Sequence, residues 1–99
     1  MKSFFQIGLA LLLLPAGSAF AYTGEKLASE AKIAMADAQK IALKARPGKI
    51  SDKELEREKG GSGLRYSFDI KAKGVTYEVG VDAADGKVLE NAKEGSHPD

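Results

Sequence analysis

Two short runs near the C-terminal end limit this chain more than anything else in it. Residues 64–70 read Leu-Arg-Tyr-Ser-Phe-Asp-Ile, and residues 75–81 read Val-Thr-Tyr-Glu-Val-Gly-Val. Each alternates apolar with polar residues at a period of two, the pattern of a strand buried on one face only. If Lys73 and Gly74 form a two-residue turn, Ala72 pairs with Val75, Ile70 with Tyr77, Phe68 with Val79 and Tyr66 with Val81. Every apolar side chain then meets another on the same face, so the register is self-consistent. The inward residues Tyr66, Phe68, Ile70, Tyr77, Val79 and Val81 are the expected core.

The rest of the chain supplies a cover and a further strand. Ala34, Ala38, Ile41, Ala42 and Ala45 recur at helical spacing, which predicts a helix over 34–46. Pro47 stops it, since the residue before a proline avoids the helical region, and Gly48 is expected to reverse the chain. A stripe made mostly of alanine lets a helix lie close to a small sheet. Leu43 points away from that stripe. It is either a single exposed leucine, which is ordinary, or it packs against Leu27, Tyr22 or a partner. Residues 22–32 form either a short helix begun by Thr23 or a flexible lead.

Residues 49–59 read as the first strand, with Ile50 and Leu55 its only apolar members and a bulge expected between them. Carrying the pairing across the turn Gly60 to Gly63 sets Lys59 opposite Leu64, Arg57 opposite Tyr66 and Leu55 opposite Phe68. Arg57 is then expected to lie along the core edge with its head in water. Asp85-Gly86 marks a tight turn. Lys87 to Leu89 is a candidate short extra strand, and the polar residues from Glu90 on are expected to form a disordered tail.

Lys2, an apolar run from Phe4 to Leu14 and the small-x-small site Ala19 to Ala21 form an export signal, with cleavage expected after Ala21. The apolar run is shorter than the ~20 residues of a membrane span, so no stable membrane anchor is expected after cleavage. Periplasmic or secreted localisation follows. The remaining 78 residues carry 14 basic and 14 acidic side chains and no cysteine. Neutrality disfavours nucleic acid as a partner. Without disulfides, one small core must hold the fold.

The outward face of the three expected strands is crowded with acids. Its rows are Asp52, Lys71, Thr76; Glu54, Asp69, Glu78; Glu56, Ser67, Gly80; and Glu58, Arg65, Asp82. Lys32, Lys40, Lys44, Arg46 and Lys49 gather on the helix and the turn after it. The row Glu54, Asp69, Glu78 sets like charges side by side, which destabilises a sheet. The simpler reading is a solvated face screened by Lys71 and Arg65. The functional reading is a binding face for a basic segment of a partner or for a weakly held divalent cation.

Catalysis and cofactors find little support in these residues. His97 lies near the end of the expected tail, far from where a nucleophile would need it. There is no His/Cys cluster for a metal, and no glycine-rich segment between a strand and a helix to cradle phosphate. Asp82 to Gly86 lacks the alternating oxygen ligands of a calcium loop. No catalytic residue, metal ligand or cofactor is assigned.

The order of elements nevertheless resembles a known family. Lys32-Ile33, Ala38 and Ile41 to Leu43 leading to Pro47 and Ile50 look like the helix of a PepSY domain. Glu54 to Glu56 resembles that family's first strand and Tyr66 to Ile70 its second. Tyr77 to Ala83 followed by Asp85 to Leu89 is similar to its Val-Asp-Ala run, glycine turn and closing apolar pair. One departure is Ala34, where the family often has a Ser or Thr helix cap; either the helix starts there uncapped, or residues 30–46 form one continuous helix. The resemblance implies an exported α+β domain, one main helix on a three-stranded antiparallel sheet with a possible short extra strand. It divides the chain into a signal peptide (1–21), a lead (22–32), a PepSY-like domain (33–90) and a tail (91–99). It also implies a non-enzymatic binding module, an inhibitor or regulator of a peptidase or other exported protein. The alternative is a periplasmic accessory that binds a cation or small ligand on the acidic face.

Overall fold

The computed structural model describes residues 21–95. Most of the export signal and His97 lie outside the described residues. A six-residue 3-10 helix, Glu25–Glu30, leads into helix α1, Met35–Ala45. Four strands follow: β1, Lys49–Arg57; β2, Leu64–Ala72; β3, Val75–Asp82; and β4, Val88–Lys93. They form one antiparallel sheet in sequence order, covered on one face by helix. The architecture is the expected α+β class, but the sheet has four strands rather than three.

The central hairpin forms as its alternation requires. All four expected pairs, from Ala72 with Val75 to Tyr66 with Val81, are present. Lys73 and Gly74 both have positive φ, 53° and 79°. That is the turn whose twist matches the strands it joins, and glycine takes the second position without strain. Tyr66, Phe68, Ile70, Val79, Val81 and Leu55 are the largest fully buried side chains. The Tyr66 hydroxyl donates to the Ile33 carbonyl at 2.8 Å, which satisfies its one polar atom.

Helix α1 rests on β2, β3 and β4. Ala38 and Ala42 are completely buried at that contact, which is why small residues occupy the stripe. The helix stops one residue before expected: Arg46 is extended and turns its guanidinium over the Tyr77 ring, 3.8 Å from the centroid. Its Nε also donates to Asn91 Oδ1 at 3.0 Å, while Asn91 Nδ2 donates to the Ala45 carbonyl. These contacts staple the helix end to β3 and β4. Gly48 makes no left-handed reversal. A Cβ there would lie 2.4 Å from the Lys71 carbonyl oxygen, so glycine is required for close approach to β2.

α1 reaches β1 through a side chain, the Lys53 ammonium donating to Gln39 Oε1 at 3.3 Å, but its backbone stays away and the 3-10 helix covers the strand instead. Thr23 forms a parallel bridge with Glu54, and the Leu55 amide donates to the Thr23 carbonyl at 2.9 Å. Thr23 is therefore an edge contact and no helix cap; Gly24, with φ 86°, precedes the 3-10 turn. Tyr22, Leu27 and Leu43 are all half-buried against the core, so Leu43 is not an isolated exposed leucine. The expected bulge is present, with the register shifting between Ile50 and Asp52. It brings Ile50 opposite Ile70 and leaves Leu55 on the same face.

Two expectations fail in the outer strands. β1 pairs two residues earlier in β2 than the short-turn reading required: Leu55 faces Tyr66 and Arg57 faces Leu64. The turn is longer, closed by a bond from the Glu58 amide to the Gly63 carbonyl at 3.1 Å. Arg57 accordingly does not lie along the core edge. It is exposed, and its Nη2 donates to both carboxylate oxygens of Glu30 at 2.7 and 2.8 Å. At the other edge, residues expected in the tail are strand: β4 runs to Lys93, with Asn91 opposite Val79 and Lys93 opposite Tyr77.

Ala31 to Ala34 separates the 3-10 helix from α1, so residues 30–46 are not one continuous helix. Ala34 is the N-cap, extended at φ −80° and ψ 156°, with no side-chain bond to the helix. Ala34→Ser should supply that bond and add about 1 kcal/mol, which in a domain of this size raises the melting temperature by roughly 4–8 °C. An unchanged melting temperature by circular dichroism would show that this end of the helix does not limit stability.

Candidate functional site

The face of the sheet away from α1 is a shallow concavity of about 560 Å³. Seven carboxylates line it: Asp52, Glu54, Glu56, Glu58, Asp69, Glu78 and Glu90. Arg65, Ser67 and Leu89 complete the lining. The face forms because alternate residues of each strand point outward, and the sequence makes nearly all of those residues acidic on β1.

The three residues singled out from the sequence all line this concavity, but they do not form the expected row. The two-residue shift of β1 puts Glu54 opposite Ser67 and Asp52 opposite Asp69. Asp69 and Glu78 remain partners. The continuous acidic row is therefore Asp52, Asp69, Glu78. A slip of two residues preserves which face a side chain occupies, so the face kept its charge while the neighbours changed. Just past the longer β4, Glu94 brings one carboxylate oxygen within 4.8 Å of one from Asp69 and one from Glu78.

The carboxylates are only partly compensated. Burial, with Glu94 and Asp52 adding to it, pushes the Asp69 carboxyl above its usual range. Burial does the same to Glu56, helped by Glu58 and Glu54 and opposed by the Ser67 hydroxyl, which donates to Glu56 Oε2 at 2.7 Å. Arg65, a buried side chain, is a cation set among them. Its Nη1 lies 3.5 Å from Glu90 Oε1, and its Nη2 donates to the Lys59 carbonyl at 3.0 Å. The guanidinium lies across Gly80, where a Cβ would come within 3.0 Å of Nη1. The glycine in mid-strand was the sequence's one clue to this arrangement. Nothing in the alternation marked Glu90 or Glu94, because the chain from Glu90 to Glu94 has no apolar alternation.

Asp82, expected on the open face in a row with Arg65 and Glu58, keeps its Arg65 partner but not the exposure. It lies opposite Arg65 in β3 and is almost completely buried. Its Oδ1 accepts from the Ser62 hydroxyl at 2.6 Å and the Ala84 amide at 2.8 Å, and its Oδ2 from the Ser62 amide at 2.8 Å. The Ser62 hydroxyl above all, then the two amides and Arg65, hold this carboxyl below the usual range despite burial. Asp82 is thus a fastener for the β1–β2 turn and is not available to a ligand.

An α+β module of one helix on a four-stranded meander, open and acidic on its far face, is the class of protein these features define. Residues 32–91 match PepSY, the peptidase propeptide and YPEB domain, and the chain belongs to that family. The family is one of propeptide and binding modules rather than catalysts. Comparison with curated proteins and with solved structures finds no match.

The opposed carboxyl shifts fix how stability depends on acidity. Glu56 and Asp69 bind protons more readily folded than unfolded, so stability should rise as pH falls from 7 toward about 4.5. Asp82 binds its proton less readily folded than unfolded. Its contribution is complete above the ordinary carboxylate range and is lost below about pH 4. Thermal melts should therefore peak in mild acid. Asp82→Asn should cost about 3 kcal/mol, by weakening charged hydrogen bonds, and should flatten the decline below pH 4. An unchanged acid limb would show that Asp82 does not govern it.

Proposed function

We propose that this protein is an exported, non-catalytic regulator that restrains a peptidase through its acidic sheet face, with Glu54, Asp69 and Glu78 among the binding residues. The observation that carries the reading is the concavity itself, with seven carboxylates against one buried guanidinium on a domain of the peptidase-propeptide family. A basic segment of a partner would relieve the repulsion that the fold tolerates there. Among the described residues, no helix is long and apolar enough to cross a membrane. Processing after Ala21 would release the domain, and mass spectrometry of the exported protein should find Tyr22 at its start.

Adding the purified protein to the secreted peptidase activity of its own host should lower that activity. The double variant Asp69→Asn, Glu78→Gln should lose the inhibition while melting a few degrees higher, because like charges across a sheet are removed. Inhibition that survives in the variant would exclude this face; absence of inhibition by the parent protein would exclude the regulatory role.

The proximity of Asp69, Glu78 and Glu94 favours a second reading, a weakly held divalent cation. Under it, millimolar calcium should raise the melting temperature of the parent protein and leave that of the double variant unmoved. No shift with any divalent ion would remove it.

A further inference from the structure

The outer edge of β1 already carries a short stretch of main chain, supplied by the protein itself. Thr23 pairs with Glu54 in parallel orientation, and the Leu55 amide reaches the Thr23 carbonyl at 2.9 Å. Strand alternation directs the amides of Lys53 and Arg57 to the same outer side. Apart from the Thr23 bridge, no strand among the described residues lies along this edge. The contact is close and narrow. A Cβ on Gly24 would lie 1.8 Å from the Leu55 carbonyl oxygen, so the segment seats only because that residue is glycine. Tyr22 is half-buried at one end of this segment; beyond the other, Leu27, Ala31 and the Lys32 amide on the Ala83 carbonyl anchor the lead, with the exposed Arg57–Glu30 pair adding little.

The side chains beside this edge have one sign on the open face. Asp52, Glu54 and Glu56 occur at every second position of β1, and all three line the concavity. A strand added at the edge would place its own alternate side chains next to them, where opposite charges are favoured.

We propose that the β1 edge is a strand-addition site for an extended peptide bearing Lys or Arg at alternate positions, which runs parallel to β1 and displaces residues 22–24. This rests on reading the protein as a binding module and names the form its partner takes. Main-chain hydrogen bonds supply the attachment, and the carboxylates of Asp52, Glu54 and Glu56 select the basic side chains. The protein's own segment acts as a weak internal competitor for the same amides.

The test uses the full chain, expressed with its own N-terminal segment and purified after export, and a fluorescent nine-residue peptide alternating Lys with Thr. Two control peptides are needed: the same residues with the lysines in one block, and a Glu–Thr alternation. The alternating Lys peptide should bind best, and the Leu55 amide should exchange more slowly with solvent in its presence. Gly24→Val should speed exchange at Leu55 in the free protein and tighten peptide binding by about tenfold, the effect of removing a competitor of modest strength. Glu54→Gln with Glu56→Gln should weaken it by a similar factor. Equal binding of the blocked and alternating peptides, or no change at the Leu55 amide on binding, would overturn the proposal by showing only diffuse charge attraction. If Gly24→Val fails to fold, the Leu55 amide in the parent protein still decides the matter. Peptidase inhibition is measured separately, so inhibition without edge binding would overturn this proposal and leave the regulatory role standing.

Discussion

The carboxylate of Asp82 is the point on which the rest of the structure depends. It sits where β3 ends and receives three hydrogen bonds, two of them from Ser62 in the β1–β2 turn. Gly61 is pressed so near that a Cβ would come within 2.3 Å of Oδ2. The next residue, Ala83, accepts from the amides of both Lys32 and Ile33 and donates to the Leu64 carbonyl. One corner thus joins the end of β3, the start of β2, the β1–β2 turn and the approach to α1. A chain without disulfides and with a small core needs such a corner, because burial alone leaves little margin at this size. A charged acceptor suits the role, since its hydrogen bonds are stronger than those of a neutral group.

Fixing the turn in this way also fixes the charge of the open face. The turn sets which residues of β1 lie opposite β2, and so brings Asp52 rather than Glu54 beside Asp69. Arg65 is held in the same neighbourhood, between the Lys59 carbonyl, Glu90 and the bare backbone of Gly80. One buried cation among many acids keeps the sheet intact without neutralising it. The proposed binding face and the repulsion across it therefore share one origin, an excess of carboxylates that the fold stabilises elsewhere.

Alternation made the central hairpin legible down to individual pairs, because both faces of β2 and β3 are specified by side-chain type. The same signal is blind to a slip of two residues, which leaves every side chain on its proper face. The β1 register therefore depended on turn length, and a run of glycines around Ser62 fits more than one. The information that decides it is tertiary: Asp82 reaches Ser62 only from the far end of another strand. β4 was underestimated for a different reason. Glu90 to Lys93 has no apolar alternation, and it is held by main-chain pairing and by the contact of Asn91 with Arg46. Gly48 was recognised as a terminator, but its purpose is proximity to β2. The acidic character of the site was readable; Arg65's burial and Asp82's withdrawal from the face were not, since both follow from packing. The lead was the least legible part, because its role as the cover for β1 arises from the limited reach of α1.

The separation of charge across the molecule has a kinetic consequence. Lys32, Lys40 and Lys44 are exposed on the helix side, and the carboxylates occupy the opposite face. A body with almost no net charge can still carry a large dipole moment, and a dipole in the field of a charged partner feels a torque. The domain would turn its sheet toward a cationic surface before touching it, shortening the orientational search that limits most protein encounters. Such alignment acts over roughly one screening length, about 8 Å at physiological salt. Added salt would then slow the arrival of a partner more than it hastens the departure.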